Sequence, residues 1–289
     1  MWVFRQVQQL QTFVRQQKKQ GRHFGFAPTM GALHEGHVSL IKQAKVENEL
    51  AVASIFVNPT QFNESSDLEK YPRTEEKDLL LLEKVGCDVV FLPSVEEVYP
   101  SGLDTTVPID LGYLVEPMEG QFRPGHFEGV VEVVHRLLEI TLADSLYMGQ
   151  KDYQQFAVVQ EMIRQLSLPV HIVRCPIIRE EDGLAKSSRN VRLTAQDRHT
   201  APALYQLLQR AQQQLLEGQS PSSISAGAMQ FMAELPNFRP EYFSIVDGST
   251  LRPIIDKDQQ HQGIVACLAC WAGQVRLIDN HVLLEKSTD

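Results

Sequence analysis

Long hydrophobic runs are missing from this 289-residue chain. No apolar stretch reaches the roughly 18 residues of a membrane-spanning helix, and the opening Met-Trp-Val-Phe-Arg-Gln lacks the basic and apolar regions of a signal peptide, so a cytoplasmic, membrane-free setting is expected. A surplus of positive charge is missing as well. With 27 basic against 36 acidic side chains the net charge is -9, which argues against a broad nucleic-acid or anionic-membrane surface, and any phosphate-binding charge must be concentrated in a local pocket. Cysteine is scarce, with four in the chain. Cys87 and Cys175 sit beside apolar stretches, while Cys267 and Cys270 form a lone Cys-x-x-Cys inside Ile-Val-Ala-Cys-Leu-Ala-Cys-Trp. On a strand those two point to opposite faces, so buried thiols are expected rather than a redox or zinc pair. Neither a Gly-x-Gly-x-x-Gly fingerprint nor a Gly-x4-Gly-Lys-Ser/Thr loop occurs, which counts against NAD enzymes and ordinary P-loop ATPases.

What is there is an ordinary globular composition, 43% hydrophobic, long enough for one large domain or two smaller ones. Val7, Leu10, Phe13 and Val14 recur at helical spacing, and a short strand from His23 to Ala27 follows. A helix carrying Leu40, Ile41 and Ala44 precedes Leu50 to Val57, a continuous apolar run that suits a strand covered on both faces. Thr74 can cap a helix running through Val85, and Asp88 to Leu92 reads as a buried strand. Thr105 to Leu111 reads as a further strand, Glu119 to His126 as a loop, and Val130, Val134, Leu137 and Leu138 as one side of a helix. Ser145 to Met148, a helix from Asp152 to Leu166, and Val170 to Cys175 complete a Rossmann-like, doubly wound parallel α/β sheet of five or six strands. After Pro176 the style changes. Helical stretches at about 194 to 218, with Pro202 kinking or restarting the first, and 222 to 235 lead to three apolar runs, Tyr242 to Val246, Gly263 to Cys270 and Val275 to Ile278. Their glycine-bearing turns imply a short antiparallel sheet in a smaller α+β domain. The expected division is residues 1–176 and 177–289.

The organising stretch runs Phe26-Ala-Pro-Thr-Met-Gly-Ala-Leu-His-Glu-Gly-His37, an apolar strand ending in a glycine-bearing loop where a helix begins. First-turn N–H groups and the helix dipole favour an anion there, Gly31 and Gly36 give it room, and His34 and His37 can both face the same phosphate chain. A zinc helix of the His-Glu-x-x-His kind needs histidines four apart, and these are three apart. Histidines that only cap or pack remain the plain alternative. Since ligands of a parallel sheet bind beyond the carboxyl ends of the strands, Gln61 after the second expected strand and Lys151, Asp152 and Gln155 after the fifth should join this loop.

The chain here resembles the pantoate-β-alanine ligase family of the nucleotidyltransferase superfamily. The resemblance rests on Pro28 to His37, Ser54 to Phe62, Tyr71-Pro-Arg-Thr74, Arg123-Pro-Gly-His-Phe127, Gly149-Gln-Lys-Asp-Tyr-Gln-Gln155, Asp182-Gly-Leu-Ala-Lys-Ser-Ser-Arg-Asn190 and Arg276-Leu-Ile-Asp-Asn280. These blocks follow the family's order along nearly the whole chain. The resemblance implies a ligase that uses ATP to convert pantoate to pantoyl-adenylate and pyrophosphate, then lets β-alanine displace AMP. It implies an ATP site at Met30, Gly31, Ala32, Leu33, His34, Glu35, Gly36, His37, Gly149, Gln150, Lys151, Asp152, Ile178, Lys186, Ser187, Ser188 and Arg189, with His37 as proton donor. Catalysis would fall to His34, His37, Lys151 and Arg189, pantoate to Gln61 and Gln155, and β-alanine to Gln61. Met30 and Phe62 would wall pantoate's gem-dimethyl group, and Tyr71, Arg123 and His126 stand in reserve. Mg2+ would accompany ATP, its protein ligands unknown, and a homodimer through the larger domain is implied.

One position departs from the family pattern: Lys186 stands where an apolar Met or Leu is expected before Ser-Ser-Arg. It is either a solvated surface lysine or a second cation for the triphosphate. The Asp182-Gly183 turn would give that segment the flexibility to close and exclude water. Three other readings compete. A nucleotidyltransferase acting on a phosphate ester would need neither glutamine, an aminoacyl-tRNA synthetase would need an RNA surface, and a non-catalytic nucleotide sensor would not need Lys151 and Arg189.

Overall fold

The structure is a computed structural model, and it describes residues 1–61, 69, 71–255 and 261–285. In chain order the elements are β1 (Trp2–Phe4), α1 (Val7–Lys18), β2 (Phe24–Thr29), α2 (Glu35–Glu47), β3 (Leu50–Ile55), α3 (Glu75–Lys84), β4 (Val89–Phe91), α4 (Val95–Val98), α5 (Glu119–Phe122), α6 (His126–Thr141), β5 (Ser145–Gly149), α7 (Tyr153–Gln165) and β6 (His171–Cys175). They continue with α8 (Ala195–Thr200), α9 (Ala203–Leu216), α10 (Pro221–Glu234), β7 (Phe238–Asp247), β8 (Ile264–Ala272) and β9 (Val275–Leu284). Two compact units result. One holds Met1–Leu111, Arg123–Gly149 and Val158–Pro176, and the other Gly112–Phe122, Gln150–Ala157 and Ile177–Asp289.

The first unit is a six-stranded sheet ordered β1-β4-β3-β2-β5-β6, with every pairing parallel. β3 is buried along its whole length, as an interior strand with both faces covered must be. The chain winds outward through β3 and β4 on one side of β2 and through β5 and β6 on the other. The order therefore reverses between β2 and β5, and such a switch point opens a crevice at the carboxyl ends of those two strands. Ile41 and Ala44 of α2 pack with Ala51 and Ala53 of β3 and Tyr147 of β5, and α6 buries Val130, Val133, Val134, Leu137 and Leu138.

Three expectations need correction. Thr105 to Leu111 forms no strand. Its alternation is real, but Pro108 withholds a ladder N–H, and the segment is held by side chains instead. Gln165 Nε2 donates to Asp110 O at 2.6 Å and Asp110 N to Gln165 Oε1 at 3.1 Å, while Thr105 Oγ1 bonds Glu132. The sixth strand is β1, three residues at the sheet edge with Trp2 62% exposed, too short and too open to leave a period-2 signal. The stretch read as a loop from Glu119 also begins with the short helix α5. Thr74 does stand at the N-cap of α3, yet its side chain makes no cap bond and donates to Asp78 Oδ2 at 3.1 Å.

The second unit carries the antiparallel sheet β7-β8-β9. Against it lie Leu204, Leu207, Leu208, Ala211 and Leu215 of α9 and Ile224, Ala228 and Met232 of α10. Pro202, at the N-cap of α9, restarts the helix after α8, because it has no N–H to continue the ladder. α10 opens with Ser220 accepting from Ser223 N and Pro221 in its first turn, a favourable helix start. All four cysteines are free and buried. Burial pushes the Cys175 thiol up to about 11 and those of Cys87 and Cys270 up to about 12, and Cys267 moves the same way. Among the described residues no helix is long and apolar enough to cross a membrane.

Candidate active site

In the first unit, the turn after β2 sits at the switch point. α2 starts at Glu35 with His34 as its extended N-cap, and His34 Nδ1 accepts from Gly36 N at 3.1 Å. His37 Nδ1 in turn accepts from His34 N at a long 3.3 Å, and the two rings lie 4.1 Å apart. The capping alternative is therefore true as far as it goes, and it has a chemical consequence. A ring whose Nδ1 accepts carries its proton on Nε2, so each neutral imidazole becomes an Nε2–H donor.

The turn itself is held from α3 by a residue the sequence reading passed over. Asp78, 2% exposed, accepts from Ala32 N through Oδ2 at 2.9 Å and from Leu33 N through Oδ1 at 2.8 Å. Gly31 has φ +84, and a Cβ there would lie 3.2 Å from the same carboxylate and from Ile55, so both the backbone and the space require glycine. Ala32 also takes positive φ, +49. The signal was the spacing Thr74, Asp78, Leu82, which places the carboxylate on the buried side of the helix, but the surrounding Glu-Glu-Lys-Asp reads as a solvated first turn.

Gln61 closes a 3-10 turn, Pro59–Gln61, after β3. Buried Asn58 organises it. Its Nδ2 donates to Thr60 Oγ1 at 2.9 Å and to Gly129 O at 3.2 Å, and its Oδ1 accepts from Tyr99 OH at 3.0 Å. His126 Nδ1 lies 3.3 Å from Gln61 O, so this reserve candidate touches the turn through its backbone. A Cβ on Gly129 would meet Thr60 O at 2.5 Å, which only the absence of a side chain permits. Met30 is half-buried and Phe62 lies outside the described residues.

In the second unit, Gln150–Asp152 form a 3-10 turn directly after β5 and before α7. Lys151 and Gln155 are half-buried and Asp152 is exposed. Residues 178–186 form a hairpin, with Lys186 N donating to Ile178 O at 2.9 Å, Glu180 N to Leu184 O at 2.8 Å, and an antiparallel bridge between Arg179 and Ala185. Its Asp182-Gly183 tip is tethered rather than slack. Arg198 Nη1 donates to Asp182 Oδ2 at 2.5 Å and holds that carboxyl below its ordinary range. Gly183 takes φ +94 and leaves room for the Tyr205 ring, which a Cβ would meet at 2.7 Å. Lys186 is no solvated surface lysine: its side chain is 19% exposed and pairs with Glu180 at 3.2 Å. Ser187 Oγ accepts from Arg189 N at 3.3 Å, and Arg189 is exposed.

A parallel sheet with a switch point and a histidine-capped helix start defines the class, a Rossmann-like α/β fold. The family model described as Pantoate-beta-alanine ligase matches residues 2–282. The pantothenate synthetase of Porphyromonas gingivalis is 49% identical over 280 residues, covering 97% of this chain and 98% of that protein, and that of Thermotoga neapolitana is 43% identical over 284 residues, covering 98% and 100%. Among solved structures, pantothenate synthetase from Thermus thermophilus has a TM-score of 0.90 at 40% identity, covering 98% of this chain and 100% of its own. Pantoate-beta-alanine ligase from Francisella tularensis, solved with beta-gamma ATP and beta-alanine, has a TM-score of 0.80 at 34% identity over 98% of each chain. This chain belongs to the pantoate-β-alanine ligase family.

Proposed function

We infer that the chain condenses pantoate with β-alanine to pantothenate at the expense of ATP, by way of pantoyl-adenylate, with the residues named above in the following roles. A pantoate carboxylate oxygen attacks the α-phosphorus, the bond to the β-phosphate oxygen breaks, and pyrophosphate leaves. The neutral amine of β-alanine then attacks the acyl carbon, the bond to AMP breaks, and the amine's proton passes to solvent. Both steps are problems of charge and position. The Nε2–H groups of His34 and His37 would donate to phosphate oxygens, with the dipole of α2 behind them, while the N–H groups of Ala32, Leu33, His34 and Gly36 hold the turn in shape. Lys151 and Arg189 would neutralise the charge that resists the carboxylate's approach, and Ser187 and Ser188 would add hydroxyl donors. His37 would act by donating from Nε2 to the departing oxygen; full transfer from an imidazolium would first require Nδ1 to give up its backbone N–H.

Gln61 and Gln155 would hold pantoate, since an amide supplies donor and acceptor without a competing charge, and Gln61 would also meet β-alanine. Lys186 would reach the triphosphate by leaving Glu180. Mg2+ would enter with ATP, held by phosphate oxygens and water. Among the described residues no group of three His, Cys, Asp or Glu side chains could hold a metal ion. In this reading residues 1–176 bind ATP and pantoate and residues 177–289 serve as the lid, in a cytoplasmic homodimer whose mass analytical ultracentrifugation would check.

The observation that carries the reading is the Asp78-held, histidine-capped turn at the β2 end of the switch point, with Lys151 two residues beyond the neighbouring end of β5. Exchange of labelled pyrophosphate into ATP tests it. Exchange should require pantoate and proceed without β-alanine; exchange without pantoate, or none at all, would discard it.

A further inference from the structure

The block Arg276-Leu-Ile-Asp-Asn280 marks the family, yet none of its side chains has a part in the chemistry above. It lies on β9, the edge of the sheet in the second unit. Asn280 is 2% exposed. Its Nδ2 donates to Gln150 O at 2.8 Å and to Lys151 O at 2.9 Å, and its Oδ1 accepts from Gln150 Nε2 at 3.2 Å. Both amide hydrogens are thus spent on the turn that carries Lys151.

The preceding residue holds a second segment. Asp279, 6% exposed, accepts from Arg179 Nη1 at 2.6 Å and Nη2 at 3.0 Å, and also from Asn280 N at 2.8 Å. Arg179 Nη2 reaches Asn280 O at 3.3 Å and Nη1 reaches Gly183 O at 3.1 Å, while the guanidinium carbon stands 3.6 Å from the Tyr205 ring centroid. Arg179 belongs to the hairpin that ends at Lys186, immediately before Ser187, Ser188 and Arg189.

We propose that Asp279 and Asn280 are positioning residues for the nucleotide site: Asn280 fixes the Lys151 turn, and Asp279, through Arg179, fixes the 178–186 hairpin. A lysine ammonium stands at the end of a long flexible stem, so holding the carbonyls on either side of its Cα removes much of the ordering that nucleotide binding would otherwise require. The side chain must be an amide. A carboxylate at 280 would face two carbonyl oxygens and repel both, and an alanine would leave them without their buried donors. The inference rests on Lys151 being a triphosphate cation.

The test uses the full-length Asn280→Ala and Lys151→Ala variants and their double variant. Calorimetry gives the Kd for ATP, pyrophosphate exchange gives KM and kcat, and a thermal midpoint accompanies each. Asn280→Ala should weaken ATP binding about tenfold in the otherwise unaltered protein and less than about twofold when Lys151 is already alanine, because residues that act through one another are not additive. A lowered midpoint with ATP affinity unchanged, or equal losses in both backgrounds, would overturn the proposal while leaving Lys151 its role. Unchanged ATP affinity in Lys151→Ala itself would overturn both. If Asn280→Ala does not fold, Arg179→Lys keeps the charge but breaks the two-pronged contact with Asp279, and it should raise the KM for ATP several-fold. No rise in KM would then refute the positioning role.

Discussion

In the first unit the candidate phosphate donors are two imidazoles on a turn fixed over a few residues by one buried carboxylate; in the second they are long cationic side chains, whose place depends on a strand far away in sequence. Asp78 sets Ala32 and Leu33 directly, whereas Lys151 inherits its place from Asn280. Imidazoles already held by backbone N–H groups have little further side-chain freedom to lose, but a flexible cation is only as well placed as the turn beneath it.

Four substitutions would break or sharpen that contrast. The largest effect belongs to Lys151→Ala. It should cut the kcat of pyrophosphate exchange about 10²–10³-fold and leave the thermal midpoint nearly unchanged, since the side chain is half-buried at a turn. A large midpoint loss with exchange intact would reverse the assignment of cation and scaffold. Asp78→Asn should do the opposite, because one carboxylate oxygen becomes an NH2 facing a backbone N–H. Urea titration should show about 1–3 kcal/mol of lost stability, with exchange falling about tenfold; an undisturbed variant would mean that the anion turn needs no support from α3.

Gly129→Ala should cost about 1–3 kcal/mol, since the methyl forces α6 away from the Thr60 carbonyl. Displacing the Gln61 turn should raise the KM for pantoate while that for ATP holds, and equal changes in both would show that the acid and nucleotide portions are not separately built. The smallest effect concerns acid titration in the second unit. Burial pushes the Asp247 carboxyl up, but hydrogen bonds from Gln262, Thr250 and Ser249 outweigh it and bring the group to about 2. A depressed carboxyl stabilises above its unfolded value and loses that contribution as pH falls through about 2. The parent should therefore exceed Asp247→Asn by about 1–2 kcal/mol at neutral pH, and guanidinium titrations should show the gap closing between about pH 4 and pH 2.

Much of this was legible because the informative patterns are local. β3 announced itself as an unbroken apolar run, α6 by its valines and leucines at helical spacing, the antiparallel sheet by three runs with glycine-bearing turns, and Pro202 by its missing N–H. His34 and His37 stood out by flanking Gly36, and both rings take part in capping the start of α2. What escaped depends on partners distant in sequence. Trp2–Phe4 is a strand only because β4 lies beside it, and Thr105–Leu111 alternates convincingly but pairs with no strand among the described residues. Asp78, Asn58 and Asn280 look like ordinary polar residues until the backbone groups they satisfy come within reach. Lys186 could be read either as a solvated lysine or as a second cation, and neither reading foresaw its pairing with Glu180.

Cys87 and Cys175 belong to the first unit, Cys267 and Cys270 to the second, and each thiol is buried and held protonated at neutral pH. The protein thereby contains two silent alkylation targets in each half, with no engineering required. An alkylating reagent can reach them only during an opening event, so mass spectrometry of the four labelled peptides over time would time the breathing of each unit separately, with and without ATP.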